Sequence, residues 1–347
     1  MARNLDDTGK HLIRILRQGG QAAIETATRL LKGRDDILRT VLNMVENGAT
    51  QLQITTYIHK QTATLQAALK QALEQQGFLA GEIQATSSAS YLSVLGVTNP
   101  KPYNVTPSFI KRSFKKVMYD ANVSVDNLLT GTMAKLDQDI VNISRRARLQ
   151  GESIRTIATA IEASSGALED PSLTRKANAL ARSAIAQVAN DVRHASFVSE
   201  SEVDRVIFVG TLDHRTSDIC KSLDGTVYDK REARVPPLHV NCRSTLVPVL
   251  KGESVREVKD QLRRPAVEPK SAQALKDKGL KTRTGRVRKP STSDSSPLKG
   301  VQKQQYMTYE EWLKTQSAAY QKAILGTKAY NTFRTSGNLK QALGVIT

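Results

Sequence analysis

Apolar positions return with helical spacing over much of the chain. In the first 80 residues Leu12, Ile15 and Leu16, and then Ile37, Val41, Leu42 and Val45, each mark one face of a helix. Asp35 and Asp36 read as the cap and first-turn residues of the second of these segments, and Gly48 closes it. A longer helix is predicted from about 52 to 76, where Thr55, Ile58, Thr62, Leu65, Leu69 and Leu73 form one stripe. Ser87-Ser88, Gly96, Asn99-Pro100 and Pro102 then interrupt the pattern, so 84–106 reads as an exposed connection. Helical periodicity resumes in a basic amphipathic segment at 108–118. It continues at 133–149, where Met133, Leu136, Ile140 and Ile143 share a face. Arg145, Arg146 and Arg148 near the end of that segment suit the negative end of the helix dipole or a phosphate equally well. A further helix restarts at Gly151-Glu-Ser-Ile154, and Asp170-Pro171 opens the last long one, over about 172–199.

After Glu202 the period changes. Val206, Ile207, Phe208 and Val209 lie in a short β-type run at 203–210, and 245–250 is another, with a turn-rich loop between them. The fold class that follows is mainly α: a multi-helix body with a small α+β module near 175–250. The predicted organisation is an N-terminal helical region at 1–83, the connection at 84–106, and a helical region at 107–174 leading into the module at 175–250. A basic arm at 251–303 and a C-terminal helical tail at 304–347 complete it.

Composition alters this picture in two places. The 347 residues are enough for two or three structural units, and 39% hydrophobic content suits a packed core. No apolar run approaches the roughly 18 residues that cross a bilayer, and no apolar signal core precedes a cleavage site, so membrane insertion and secretion are disfavoured. The net charge of +18 is uneven: 251–305 holds 15 Lys and Arg against 6 Asp and Glu, about half of the excess in a sixth of the chain. With Pro265, Pro269, Pro290, Pro297 and many Ser, Thr and Gly, the stretch from about 265 to 303 reads as largely disordered. Lys281, Arg283, Arg286, Arg288 and Lys289 are candidate nucleic-acid contacts through counterion release, and a merely soluble tether is the alternative. Aromatic residues at 5% argue against stacking many single-stranded bases. Trp312, the sole tryptophan, lies beyond the arm, and a C-terminal helix docked on the module is the natural way to bury it.

The candidate chemistry is concentrated in the turn-rich loop. Both cysteines of the chain, Cys220 and Cys242, lie there with His214 and His239. Cys220, His239 and Cys242, with Asp213 or His214 as a fourth group, supply the soft thiolate and imidazole donors that suit a structural, tetrahedral zinc ion. His239-x-x-Cys242 is one competent knuckle, whereas Cys220 lacks a second cysteine close by. Two reduced cysteines packed in a core, or a disulfide formed outside the cytoplasm, remain alternatives. Cys220 with His239 can also be drawn as nucleophile and base, but no oxyanion loop or orienting third residue is visible in the spacing. A metal-dependent nuclease centred on His239 and a zinc-stabilised nucleic-acid-binding adaptor are the rival functions. His11, His59 and His194 sit in helical patterns as solvated or packed residues. Pro236-Pro237 fixes the approach to His239.

At these residues the chain resembles the phage Mu F-like minor head proteins, or phage head morphogenesis proteins. The resemblance rests on Asp213-x-Arg215-Thr216-x-x-x-Cys220, Leu223-Asp224-Gly225 and Pro236-Pro237-x-His239-x-x-Cys242-Arg243. The helix holding Ala181-Arg182-Ser183 and Asn190 and the start Gly151-Glu-Ser-Ile154-Arg-Thr-Ile157-Ala158 extend it over about 140–250. The tail Tyr309-Glu-Glu-Trp312-Leu313, with Ile324-Leu325-Gly326 and Ser336-Gly337-Asn-Leu339, is similar to one often found packed back onto that domain. The resemblance implies a non-enzymatic minor head protein of a tailed phage, located in the virion and assembled in the host cytoplasm. Its implied partners are the portal protein, phage DNA bound without sequence preference during packaging or ejection, and a scaffold or major capsid protein.

Overall fold

The computed structural model describes residues 6–149, 171–267, 301–305 and 307–345. Its elements are α1 (Asp6–Glu46), α2 (Gln51–Val94), α3 (Pro107–Lys115), α4 (Val125–Leu149) and α5 (Pro171–Ser199), followed by β1 (Val203–Val209), α6 (Asp218–Leu223), β2 (Val227–Asp229) and β3 (Thr245–Leu250). α7 (Val255–Gln261), β4 (Arg263–Val267), β5 (Val301–Gln305), α8 (Tyr309–Thr315), α9 (Ala318–Ser336) and α10 (Leu339–Leu343) complete the chain. The protein is mainly helical with a small antiparallel sheet. The chain divides into two compact units, one of 18–81 with 105–188 and one of 1–17, 82–104 and 189–347.

The first of these units is helical. Leu30, Leu31 and Val41 of α1, Ile54, Ile58, Leu69 and Leu73 of α2, and Leu129, Met133, Leu136 and Ile140 of α4 are buried in it, on the stripes that periodicity marks out. Gly77 and Gly81 of α2 leave room for α5 and its neighbours: a Cβ on Gly81 would stand 3.0 Å from Val105 and 3.2 Å from Val188. Both contacts are with stiff β-branched side chains, so any side chain at Gly81 would crowd them.

Two boundaries differ from the sequence reading. α1 is one helix through Asp35 and Asp36, which do not cap a new segment. Asp35 pairs with Arg34 at 2.7 Å and Asp36 with Arg39 at 3.4 Å, so both carboxylates are satisfied on the helix surface. Gly48 does follow the helix end, at φ 73°. Residues 84–94, expected as an exposed connection, instead continue α2, and Gln84, Ala85, Ser88, Tyr91 and Leu92 are buried. Ser88 breaks nothing because its hydroxyl accepts a bond of 2.8 Å from the Gln84 side chain one turn earlier.

The other unit is built on a three-stranded sheet of order β2-β1-β3, antiparallel throughout, with Val206 facing Tyr228 and Pro248. Both faces of the sheet are covered, which is why β1 reads as a continuous apolar run. Val206, Phe208 and Leu246 pack with Tyr91, Leu92, Phe197, Cys220, Leu223, Leu238 and Cys242 on one face. Ile207, Val209, Val247 and Val249 pack with Val258 and Leu262 on the other. Pro248 is tolerated because β3 is an edge strand. Arg193 of α5 is buried, donates from Nε to the Leu246 carbonyl at 2.8 Å, and lies over the Tyr91 and Phe197 rings. His11 is fully buried with Nε2 3.1 Å from the Thr245 hydroxyl. Burial, then the Arg193 and Arg14 charges, hold its imidazole well below the ordinary value.

Of the stretch expected as a basic arm, 255–267 forms α7 and β4, and β4 pairs in antiparallel register with β5, Val267 facing Val301. Residues 268–300 are the stretch of chain between these two strands. That segment, with Lys281, Arg283, Arg286, Arg288 and Lys289, lies outside the described residues, as does the helix start at Gly151.

Candidate metal centre and tail clasp

Ser217 caps α6 and accepts from the Cys220 N–H at 3.4 Å, which fixes Cys220 in the first turn of this short helix. The other half comes from the loop before β3. There the cis Pro236–Pro237 bond leads into a turn in which the Cys242 N–H donates to the His239 carbonyl at 3.2 Å, with Asn241 at φ 60°. The two pieces place Cys220 Sγ 3.3 Å from His239 Nε2 and 3.6 Å from Cys242 Sγ. The sulfurs are thus in contact as free thiols, well beyond the roughly 2.05 Å of a disulfide. Both cysteines are buried and His239 is half-buried, with Nδ1 2.9 Å from the Val240 carbonyl. Burial pushes the Cys242 thiol up, but hydrogen bonds with Cys220 and His239 outweigh it and hold the group well below an ordinary thiol. The same bond to Cys242, then burial, drives Cys220 well above.

The donor atoms of Cys220, His239 and Cys242 lie within 4.8 Å of one another, so the structure brings together three of the four sequence-predicted ligands, and this Cys2His arrangement can hold a metal ion. Asp213 does not join them. It is fully buried and its carboxylate is engaged by a bidentate Arg243 guanidinium, one arm at 2.7 Å, by the Arg215 N–H at 2.9 Å and by the Thr216 hydroxyl at 3.2 Å. Burial pushes this carboxyl up, yet the Arg243 bonds and charge, with those of Arg215, leave it below the usual range. The physical reason for the changed role is that Arg243, next in sequence to Cys242, is itself nearly buried and needs a counter-charge. His214, the alternative fourth group, is exposed.

Over residues 138–247 the chain matches the family described as Phage Mu protein F like protein. This segment is Mu F-like. No curated protein and no solved structure matches the chain. The Mu F-like segment begins inside α4 and ends within β3, so it encloses the whole Cys2His cluster and the Asp213–Arg243 pair.

Asp224 supplies a role that spacing did not disclose. Its Oδ1 accepts the Gly210 N–H at 2.7 Å and its Oδ2 accepts the Tyr309 N–H at 2.6 Å, so one nearly buried carboxylate ties the Mu F-like segment to the first turn of α8. The Tyr309 hydroxyl in turn donates to the Asp213 carbonyl at 2.8 Å. Burial of the phenol raises it far above its ordinary value, so it stays a neutral donor. Around this clasp Leu212, Tyr309, Trp312, Leu313, Tyr320, Phe333 and Leu339 form one cluster, with Trp312 edge-on to Tyr309 at 5.1 Å and to Tyr320 at 5.9 Å. Trp312 is only 1% exposed, in line with the docked tail expected for the lone tryptophan. Gly326 (φ 73°) and Gly337 (φ 65°), both in the tail motif, are the points where α9 kinks and ends.

Proposed function

We propose that the chain is a minor head protein of a tailed phage, acting in head morphogenesis beside the portal and touching packaged DNA without sequence preference. The observation that carries the reading is the Mu F-like match over 138–247, which falls on a module closed by a docked C-terminal tail. Net charge of +18, half of it in one segment, supports contact with phosphates. Its place is then the virion, in the head interior or near the portal, and the host cytoplasm during assembly. No helix among the described residues is long and apolar enough to cross a membrane. Co-purification with the portal protein of the same phage is the test: a complex on size exclusion is expected, and its absence under assembly conditions overturns the portal assignment. For DNA, changing Lys281, Arg283, Arg286, Arg288 and Lys289 to glutamine lowers the slope of log affinity against log salt by about 4–5 on random duplex. An unchanged slope removes the arm from the interface.

The site supports a structural, non-enzymatic role. Cys220, His239 and Cys242 fit zinc, and both His239 ring nitrogens face partners inside the protein, Nε2 to Cys220 and Nδ1 to the Val240 carbonyl. A bound zinc ion would supply a crosslink between α6 and the loop before β3. Plasmid cleavage with added divalent metal that vanishes in His239→Ala would replace this reading with the nuclease.

A further inference from the structure

We infer that the exposed face of α3 is a second, folded contact for the backbone of double-stranded DNA, separate from the 281–289 run. The inference rests on the reading that this protein touches DNA. α3 is set by Thr106 as N-cap, whose hydroxyl accepts from the Phe109 N–H at 3.2 Å, and by Pro107 in the first turn. Its apolar side is consumed: Ile110, Ser113 and Phe114 are buried, Ile110 and Phe114 beside Gly77 of α2. The opposite side carries Lys111, Arg112 and Lys115, all exposed, with no acidic residue in the helix. Among the described residues none of these three cations enters an ion pair. Arg112 is steadied over the Phe109 ring at 5.9 Å. Lys101, exposed in the loop before the helix, adds a further cation near by in sequence.

The spacing fits a strand of phosphates. Lys111 and Lys115 are one turn apart, about 6 Å along the axis, and Arg112 lies between them, so the three cations can face two or three successive phosphates, which recur every ~3.4 Å of duplex axis per strand. A cationic helix that lies on lipid needs its apolar residues free to enter the acyl boundary. Here Ile110 and Phe114 are inside the protein, so the helix itself turns charge outward, with Val117 and Tyr119 exposed just beyond its C-terminus, and duplex DNA is the partner that fits the helix.

The test uses the full chain, random-sequence duplex of about 30 base pairs and salt titration at fixed pH. Lys111→Gln, Arg112→Gln and Lys115→Gln together are expected to lower the salt slope by about 3, one for each phosphate contact, and to weaken binding at least tenfold at low salt. Replacing Lys111 and Lys115 by arginine keeps the charge and keeps the slope, and far-UV circular dichroism of both variants reports the fold. A glutamine variant that folds and binds with the parent slope overturns the inference. Loss confined to the 281–289 variant overturns it too while leaving the DNA reading standing, and a parent chain that ignores DNA overturns both. Binding to phosphatidylglycerol vesicles that the glutamine variant loses, with DNA binding intact, assigns the face to lipid and overturns it likewise.

Discussion

Replacing Asp224 by alanine removes a carboxylate that joins the sheet module to the tail. Asp224 is 8% exposed and accepts two backbone N–H groups, from Gly210 at 2.7 Å and Tyr309 at 2.6 Å. Hydrogen bonds to a charged group contribute about 1.5–3 kcal/mol each, and leaving a buried donor unmade costs about 1–3 kcal/mol. The two bonds share one side chain and the tail can lift to rehydrate Tyr309, so the sum is not additive and about 3 kcal/mol is expected. The assay is urea unfolding followed by two probes. Trp312 is the only tryptophan, so its emission reports the tail alone, while far-UV circular dichroism reports the helices of both units. In Asp224→Ala the emission shifts to the red at lower urea than the helical signal, because the tail comes away first. Asp224→Asn keeps one acceptor but turns an N–H₂ toward a backbone donor, so it falls between the two. A variant whose emission is unchanged and whose midpoint moves by less than about 0.5 kcal/mol equivalent refutes the clasp.

Asp213→Asn leaves the nearly buried Arg243 without its counter-charge and costs about 3–5 kcal/mol by chemical denaturation. Because the folded Asp213 carboxyl sits below its unfolded value, its stabilisation is complete above the ordinary carboxylate range and fades as pH falls through the folded value. The parent therefore loses midpoint steeply below about pH 4 and the asparagine variant less so, and parallel curves would contradict the pair. Protein purified without added metal should carry close to one equivalent of zinc by elemental analysis, with Cys220→Ser or Cys242→Ser losing it and a chelator lowering the melting temperature. Less than about a tenth of an equivalent would leave two packed thiols instead. Gly81→Val forces a branched side chain against Val105 and Val188, so a loss of about 1–3 kcal/mol is expected in thermal unfolding, and a neutral result would show that α2 can move aside.

Local pattern was sufficient wherever one segment decides its own conformation. β1 and β3 were legible as dense β-branched runs, α5 opens at Pro171, and Gly48 closes α1, because φ restrictions and side-chain packing on a pleat act over a few residues. The order of motifs from Asp213 to Arg243 likewise marked the Mu F-like segment, and Cys220, His239 and Cys242 were legible as a donor set that could hold a metal, because donor chemistry belongs to the residue type. What the sequence left open is where partners come from far along the chain. α2 runs on to Val94 since Tyr91 and Leu92 find a core with Phe197 and Phe208, over a hundred residues away. Asp213 looked like a metal ligand until Arg243, thirty residues on, claimed both of its oxygens, and the Asp224 carboxylate has its role only because Tyr309, far along the chain, is folded onto it. A buried charge is defined by whatever neutralises it, and only the tertiary structure decides which group that is.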